Sequence, residues 1–170
     1  MEDLSYADWQ ELRRSARHFV AVRSQTRFPG LQVGPIDYEA TTAAARTWPR
    51  LERRVTWDWK GITKNRETKR IDAAFWVDEE LCGLSYGLVT SRGATLTRLE
   101  GSPRENHPLK GYVTDLAIAL LEAVSLAVEA PRTLLQDPDP NLIEWYRRFG
   151  YERVAQPELT RYLVKERRKV

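Results

Sequence analysis

Gly111-Tyr-Val-Thr-Asp-Leu-Ala-Ile-Ala-Leu-Leu-Glu-Ala-Val-Ser-Leu-Ala-Val-Glu-Ala130 is apolar on nearly every side. Val113, Leu116, Ile118, Leu120, Leu121, Val124, Leu126 and Val128 surround only three charges, Asp115, Glu122 and Glu129. A helix that is apolar all round belongs inside a fold, so a buried central helix is expected from Gly111 to about Glu129, stopped by Pro131. Three carboxylates make the same stretch a poor membrane span.

On the N-terminal side of this helix the hydrophobic period is two. Val55, Trp57 and Trp59 alternate with polar residues, as in a strand with an aromatic face. Ile71–Val77, Leu81–Val89 and Ala94–Glu100 follow, separated by Asp78-Glu79-Glu80 and by Ser91-Arg92-Gly93. Successive strands with turns this short imply an antiparallel meander. Further upstream, Trp9, Leu12, Ala16, Phe19 and Val20 define a helix over 5–23, with Ser5 and Asp8 placed as a capping box. Residues 27–35 read as turns, and a second helix runs from about Asp37 to Trp48.

Downstream, Thr133-Leu134-Leu135 reads as a short buried strand and Asn141–Phe149 as a helix with Gly150 at its C-terminal cap. Tyr151–Val154 and Leu159–Val164 read as closing strands. Strands on both sides of a central helix define an α+β fold, a mixed sheet with flanking helices in one domain spanning 1–170.

Composition narrows the function classes. The 170 residues are 42% hydrophobic and 30% charged, with six Trp, seven Tyr and four Phe, which is the composition of a globular chain. A single cysteine, Cys82, excludes an internal disulfide framework and a multi-cysteine zinc site, and it reads as a buried structural thiol. Met1 leads directly into Glu2-Asp3-Leu4 without an apolar segment, so a cytoplasmic protein without a membrane partner is expected. The net charge of +3 is uneven. Residues 147–170 carry eight Lys/Arg against three Glu, a basic tail that suits either a solvated domain end or an acidic partner.

Two segments carry a family resemblance. Asn141-Leu-Ile-Glu-Trp-Tyr146-Arg-Arg-Phe-Gly150-Tyr151 resembles the late helix of the GNAT acyltransferase superfamily, in which a Tyr precedes a Gly-aromatic pair by four residues. Pro108-Leu109-Lys110-Gly111-Tyr112-Val113 is similar in position to that family's pyrophosphate loop, Gln/Arg-x-x-Gly-x-Gly/Ala, and keeps its first Gly as Gly111. Asp139 stands where the family usually has Asn.

The resemblance implies an N-acyltransferase using acetyl-CoA or another acyl-CoA. Lys110, Gly111, Tyr112 and Val113 would hold the pyrophosphate at a helix N-terminus, where unpaired N–H groups and the helix dipole attract anions, with Arg104 and His107 extending the cradle. Leu99 and Gly101 would present main-chain groups to the pantetheine arm, and Asp139 would lie at the cofactor site, where a carboxylate pointing inward would repel a phosphate. Glu100 is a candidate general base or a carboxylate that merely ends a strand; Glu105 and His107 are its rivals. Tyr146 is a candidate acid for the leaving thiolate or a core aromatic. The acceptor amine stays open among protein, aminoacyl-tRNA, nucleobase and small molecule, as does a homodimer. The alternative is a non-catalytic binding module of the same fold, using Trp48, Trp57, Trp59 and Trp76 with Arg50, Arg53, Arg54 and Lys60 to hold a protein or nucleic acid.

Overall fold

A computed structural model describes residues 3–48, 53, 55 and 57–168. Helix α1, Tyr6–Ser24, opens with the expected capping box: Asp8 N–H donates to Ser5 Oγ at 3.2 Å and Ser5 N–H to Asp8 Oδ2 at 2.9 Å. Strand β1 spans Leu31–Gly34, α2 Tyr38–Thr47, α3 Trp59–Lys64, β2 Arg70–Val77, β3 Glu80–Thr90 and β4 Gly93–Gly101. They are followed by α4 at Val113–Ala127, β5 at Arg132–Gln136, α5 at Ile143–Arg147 and β6 at Tyr162–Glu166.

The six strands form one sheet in sequence order. Every neighbouring pair is antiparallel except β4 and β5, which are parallel and joined through α4. Asp78 and Glu79 turn β2 into β3 with φ of 46° and 68°, the doubly left-handed conformation of a two-residue hairpin turn. Alternate residues of β2 serve different layers, as the pleat requires. Ala73 and Phe75 pack with α1, α4 and α5, whereas Ala74 packs with α2 and α3. The central helix is buried as its composition demands, lying between the sheet and α1, with Leu126 left exposed.

Four expectations need correction. The aromatic alternation at 55–59 is not a strand: Trp59 opens α3, capped by Asp58 Oδ1 accepting from Gly61 N–H at 3.1 Å, while positions 54 and 56 lie outside the described residues. The turn-rich stretch at 27–35 contains β1, a four-residue edge strand in which Leu31 is buried against the core. The expected late helix, Asn141–Phe149, is a 3-10 turn at Pro140–Leu142, opened by Pro140 at its first position and capped by Asp139, followed by the short α5. Finally, 151–154 contributes only a bridge from Glu152 to Val164, and the last strand begins at Tyr162 rather than Leu159. On α1, Phe19 is 52% exposed and Arg13 takes its place in the buried stripe with Trp9, Ala16 and Val20. Among the described residues no helix is long and apolar enough to cross a membrane, and no cluster of three or more His, Cys, Asp or Glu could hold a metal.

Candidate active site

The site starts from a parting of two strands. β4 and β5 pair over three residues only, Ala94 with Thr133, Thr95 with Leu134 and Leu96 with Leu135, and β4 then continues to Gly101 without that neighbour. The cause is a bulge. On the β3 side the register steps from Gly87–Leu96 to Tyr86–Arg98, so Thr97 is an extra residue and the strand twists away. Gly87 makes the close approach feasible, since a Cβ there would stand 2.0 Å from the Thr95 carbonyl oxygen.

Past the bulge, the ladder dictates which groups are free. Ser102 N–H donates to the Cys82 carbonyl at 2.8 Å, and bonding in an antiparallel pair alternates. Arg98 and Glu100 therefore face β3 with their main chains, and the main-chain groups of Leu99 and Gly101 face the gap. The indole of Trp57 reaches the Leu99 carbonyl at 3.3 Å.

Because β4 and β5 run the same way, the segments leading to α4 and α5 both start at the open end of the gap. The first three N–H groups of α4 have no intrahelical acceptor, and Tyr112 at the N-cap supplies no side-chain cap. Gly111 has φ +80° and nothing within 4 Å of where a Cβ would be, so the surface before the helix is open. The loop is held from beneath. Leu109 is fully buried, its N–H donates to His107 Nδ1 at 3.3 Å, and the Lys110 and Tyr112 amides bond to the carbonyls of His107 and Leu109. Burial lowers the His107 pKa, favouring a neutral ring.

Val113, bulky where the family loop has a small residue, is accommodated by the sheet. Gly83 and Gly101 are paired directly beneath it, and a Cβ on Gly83 would stand 2.4 Å from Val113 Cγ1. Arg104 is drawn away from the loop by a bidentate pair with Glu80 at 2.7 and 2.5 Å. Arg27 lies 4.2 Å over the Tyr112 ring. In the first turn of α4 the Oδ1 of Asp115 is buried without a partner among the described residues, and burial raises that carboxyl.

Tyr146 is buried in the core shared with α4, 7% exposed, in edge contact with Trp145. Burial and the charge of Asp139 raise its pKa, so the phenol keeps its proton at neutral pH. Asp139 caps the preceding turn through Asn141 N–H at 2.9 Å. Gly150, at φ +87°, ends α5, and Tyr151 N–H returns to the Tyr146 carbonyl at 3.3 Å.

Glu100 is 4% exposed and fully committed. Arg53 binds both its oxygens, at 2.5 and 2.7 Å, and Trp59 Nε1 donates to Oε1 at 2.8 Å. Arg53, Trp57 and Trp59 come from more than 40 residues upstream, and no local pattern around Glu100 announces them. Trp48 and Trp59 are core residues, Arg98 covers Trp57 at 4.5 Å, and Arg50 and Arg54 lie outside the described residues. Cys82 is sealed in the core with its thiol pushed up to about 11, mainly by burial.

A mixed sheet whose one parallel pair parts beside a helix N-terminus is the fold of the GNAT acetyltransferases, and this chain has that fold. Among solved structures, the ribosomal-protein-S18-alanine N-acetyltransferase of Escherichia coli superposes with a TM-score of 0.57 at 12% identity, over 79% of this chain and 90% of that one. An acetyltransferase of Thermus thermophilus gives 0.55 at 17% identity, over 80% and 96%. The N-acetylglutamate synthase of Neisseria gonorrhoeae, solved with coenzyme A and N-acetyl-glutamate, gives 0.56 at 14% identity, over 82% of this chain and 35% of that one. No protein-family profile and no curated protein sequence matches the chain.

Proposed function

We propose that the chain is an acyl-CoA-dependent N-acyltransferase that passes an acyl group, acetyl first among those to test, directly to an acceptor amine. The observation that carries this reading is the gap beyond Leu96, where the Leu99 and Gly101 main chain faces a strand-free edge beside the uncapped α4. The residues present fit the cofactor: an open Gly111, exposed Lys110 and unpaired helix amides suit a pyrophosphate, and a strand edge open apart from the Leu99 carbonyl, which the Trp57 indole holds, suits the amide groups of a pantetheine arm. When bound, acyl-CoA supplies the acyl group as an activated thioester.

Lys110 and the amides of Gly111 and Val113 hold the anion, Tyr112 frames the loop with its own amide tied to the Leu109 carbonyl, and Leu99 and Gly101 align the arm as a strand would. Burial and the charge of Asp139 keep the Tyr146 phenol protonated. Tyr146 donates its proton to the departing sulfur. We assign Glu100 to the wall of the gap rather than to proton abstraction, because Arg53 holds both its oxygens and Trp59 Nε1 also donates to Oε1. His107 is likewise a loop pin, its Nδ1 already accepting from Leu109. The amine's proton leaves to solvent.

The test is a melting curve with acetyl-CoA, other acyl-CoAs and adenosine nucleotides as controls. A ligand at 100 times its Kd stabilises by about 2.7 kcal/mol, a shift of several degrees for this size. With an acceptor in hand, Tyr146→Phe should retain that shift and lose about 10²-fold or more in kcat. Silence with every acyl-CoA would return the chain to the non-catalytic reading.

A further inference from the structure

Toward the opposite edge of the sheet from the gap, α1 and the β1–β2 edge enclose a groove of about 660 Å³. It is separated from the β4–β5 gap by three strand spacings, ~14 Å. Arg13, Arg14, Arg17, His18 and Arg70 line it, and among the described residues that do so none is acidic. The acids behind and beside it are fewer than the cations. Asp72, buried in β2, serves Arg17 at 2.6 Å and Arg70 at 3.3 Å while also accepting from Ile36 N–H at 2.9 Å. Glu11 pairs with Arg14 at the exposed rim, at 2.9 Å.

Arg13 has no such partner. It occupies an apolar-stripe position of α1 and is 3% exposed. Nη1 donates to the Thr68 carbonyl at 2.6 Å, and Nη2 is buried with no acceptor among the described residues. A buried guanidinium with an unmet donor is costly, because hydration is lost and nothing replaces it. Burial, Arg70 and Arg17 all act against its charge. Four guanidiniums against the carboxylates of Asp72, Glu11 and the more distant Asp37 still leave a surplus of positive charge, and a groove of metabolite size leaves the room to neutralise it.

We propose that this groove binds a small phosphate-bearing polyanion, seated between α1 and the β1–β2 edge, with exposed Arg14 and His18 at its rim, Arg17 in its wall and the buried charge of Arg13 under its floor. This does not depend on the acyltransferase reading, since the two sites use different residues.

The experiment is calorimetric titration with inorganic pyrophosphate at fixed ionic strength, with citrate as the carboxylate counterpart. Wild type should bind pyrophosphate saturably and more tightly than citrate. Arg13→Met should weaken binding by about tenfold or more while melting, without ligand, at least as high as wild type. Should that variant fail to fold, Arg14→Ala at the exposed rim should still weaken binding several-fold. Because the α4 loop is itself proposed to hold a pyrophosphate, the groove is read in the Lys110→Ala background, where saturable pyrophosphate binding should persist and should still weaken on Arg13→Met. Binding abolished by Lys110→Ala but kept in Arg13→Met would overturn the proposal in favour of the α4 loop. No binding at millimolar pyrophosphate would also overturn it, as would citrate binding equally well.

Discussion

At Gly83 a single methyl group tests how the helix meets the sheet. Gly83→Ala should destabilise by about 1–3 kcal/mol, since its Cβ would enter Val113 Cγ1. Val113→Ala in the same chain should recover most of that loss, and chemical denaturation of the four chains of that cycle measures it. His107 makes a pH-dependent contribution whose sign follows from burial. Its pKa is lowered from 6.5, so in the window just below 6.5 the unfolded chain binds the proton and the folded chain does not. The contribution is complete above 6.5 and is lost as pH falls through the folded value. His107→Asn should flatten the fall in melting temperature between neutral and mildly acidic pH; an unchanged slope would show that other groups cause it. Single residues were the least legible part of the sequence. Tyr146, Gly150 and Gly111 stand out from their spacing, but Arg13 hides inside a stripe that the period assigns to Phe19, because one helical turn tolerates either assignment until tertiary packing chooses.

Elements were legible in proportion to the length of their pattern. The meander of β2, β3 and β4 runs eight or more residues per strand between short turns, and α4 repeats burial over four turns, so both emerge with boundaries close to those expected. β1 has four residues and α3 six, too few for a period to declare itself, and Trp-x-Trp before α3 imitates a strand. The parting of β4 from β5 rests on one inserted residue, Thr97, which changes no pattern in the sequence. The segment carrying Arg53, Trp57 and Trp59 shows the same limit, because its meaning depends on a carboxylate 47 residues away. The pairing makes a prediction for this element. Glu100→Met alone should cost about 3–5 kcal/mol, because it strands a buried charge. Arg53→Met with Glu100→Met should regain most of it and keep turnover, whereas a catalytic base at Glu100 would leave the double variant inactive despite its recovered stability. Thermal denaturation and acetyl transfer on the same samples separate the two.

At the scale of the whole molecule, the basic C-terminal region is less available than its composition suggests. Arg147 pairs with Glu144, Arg161 with Asp137 at 2.5 Å, Lys165 with Glu122 at 2.7 Å and Arg167 with Glu129 at 3.6 Å. Arg161, Lys165 and Arg167 tie the C-terminal stretch to the loop after β5, to α4 and to the turn that follows it, while the Arg147 pair lies within α5, so the groove beside α1 is the stronger concentration of unmatched positive charge. The docking of α1 on α4 also has a consequence for how the chain is made. α1 ends at Ser24 and α4 begins at Val113, so roughly 90 residues separate the helix from its cover. At ~5–20 residues per second, a ribosome takes about 5–20 s to deliver the second after the first. Until then the face of α1 that carries Trp9, Ala16 and Val20 lacks its α4 cover. The docking of α1 on α4 is therefore a late event in biosynthesis.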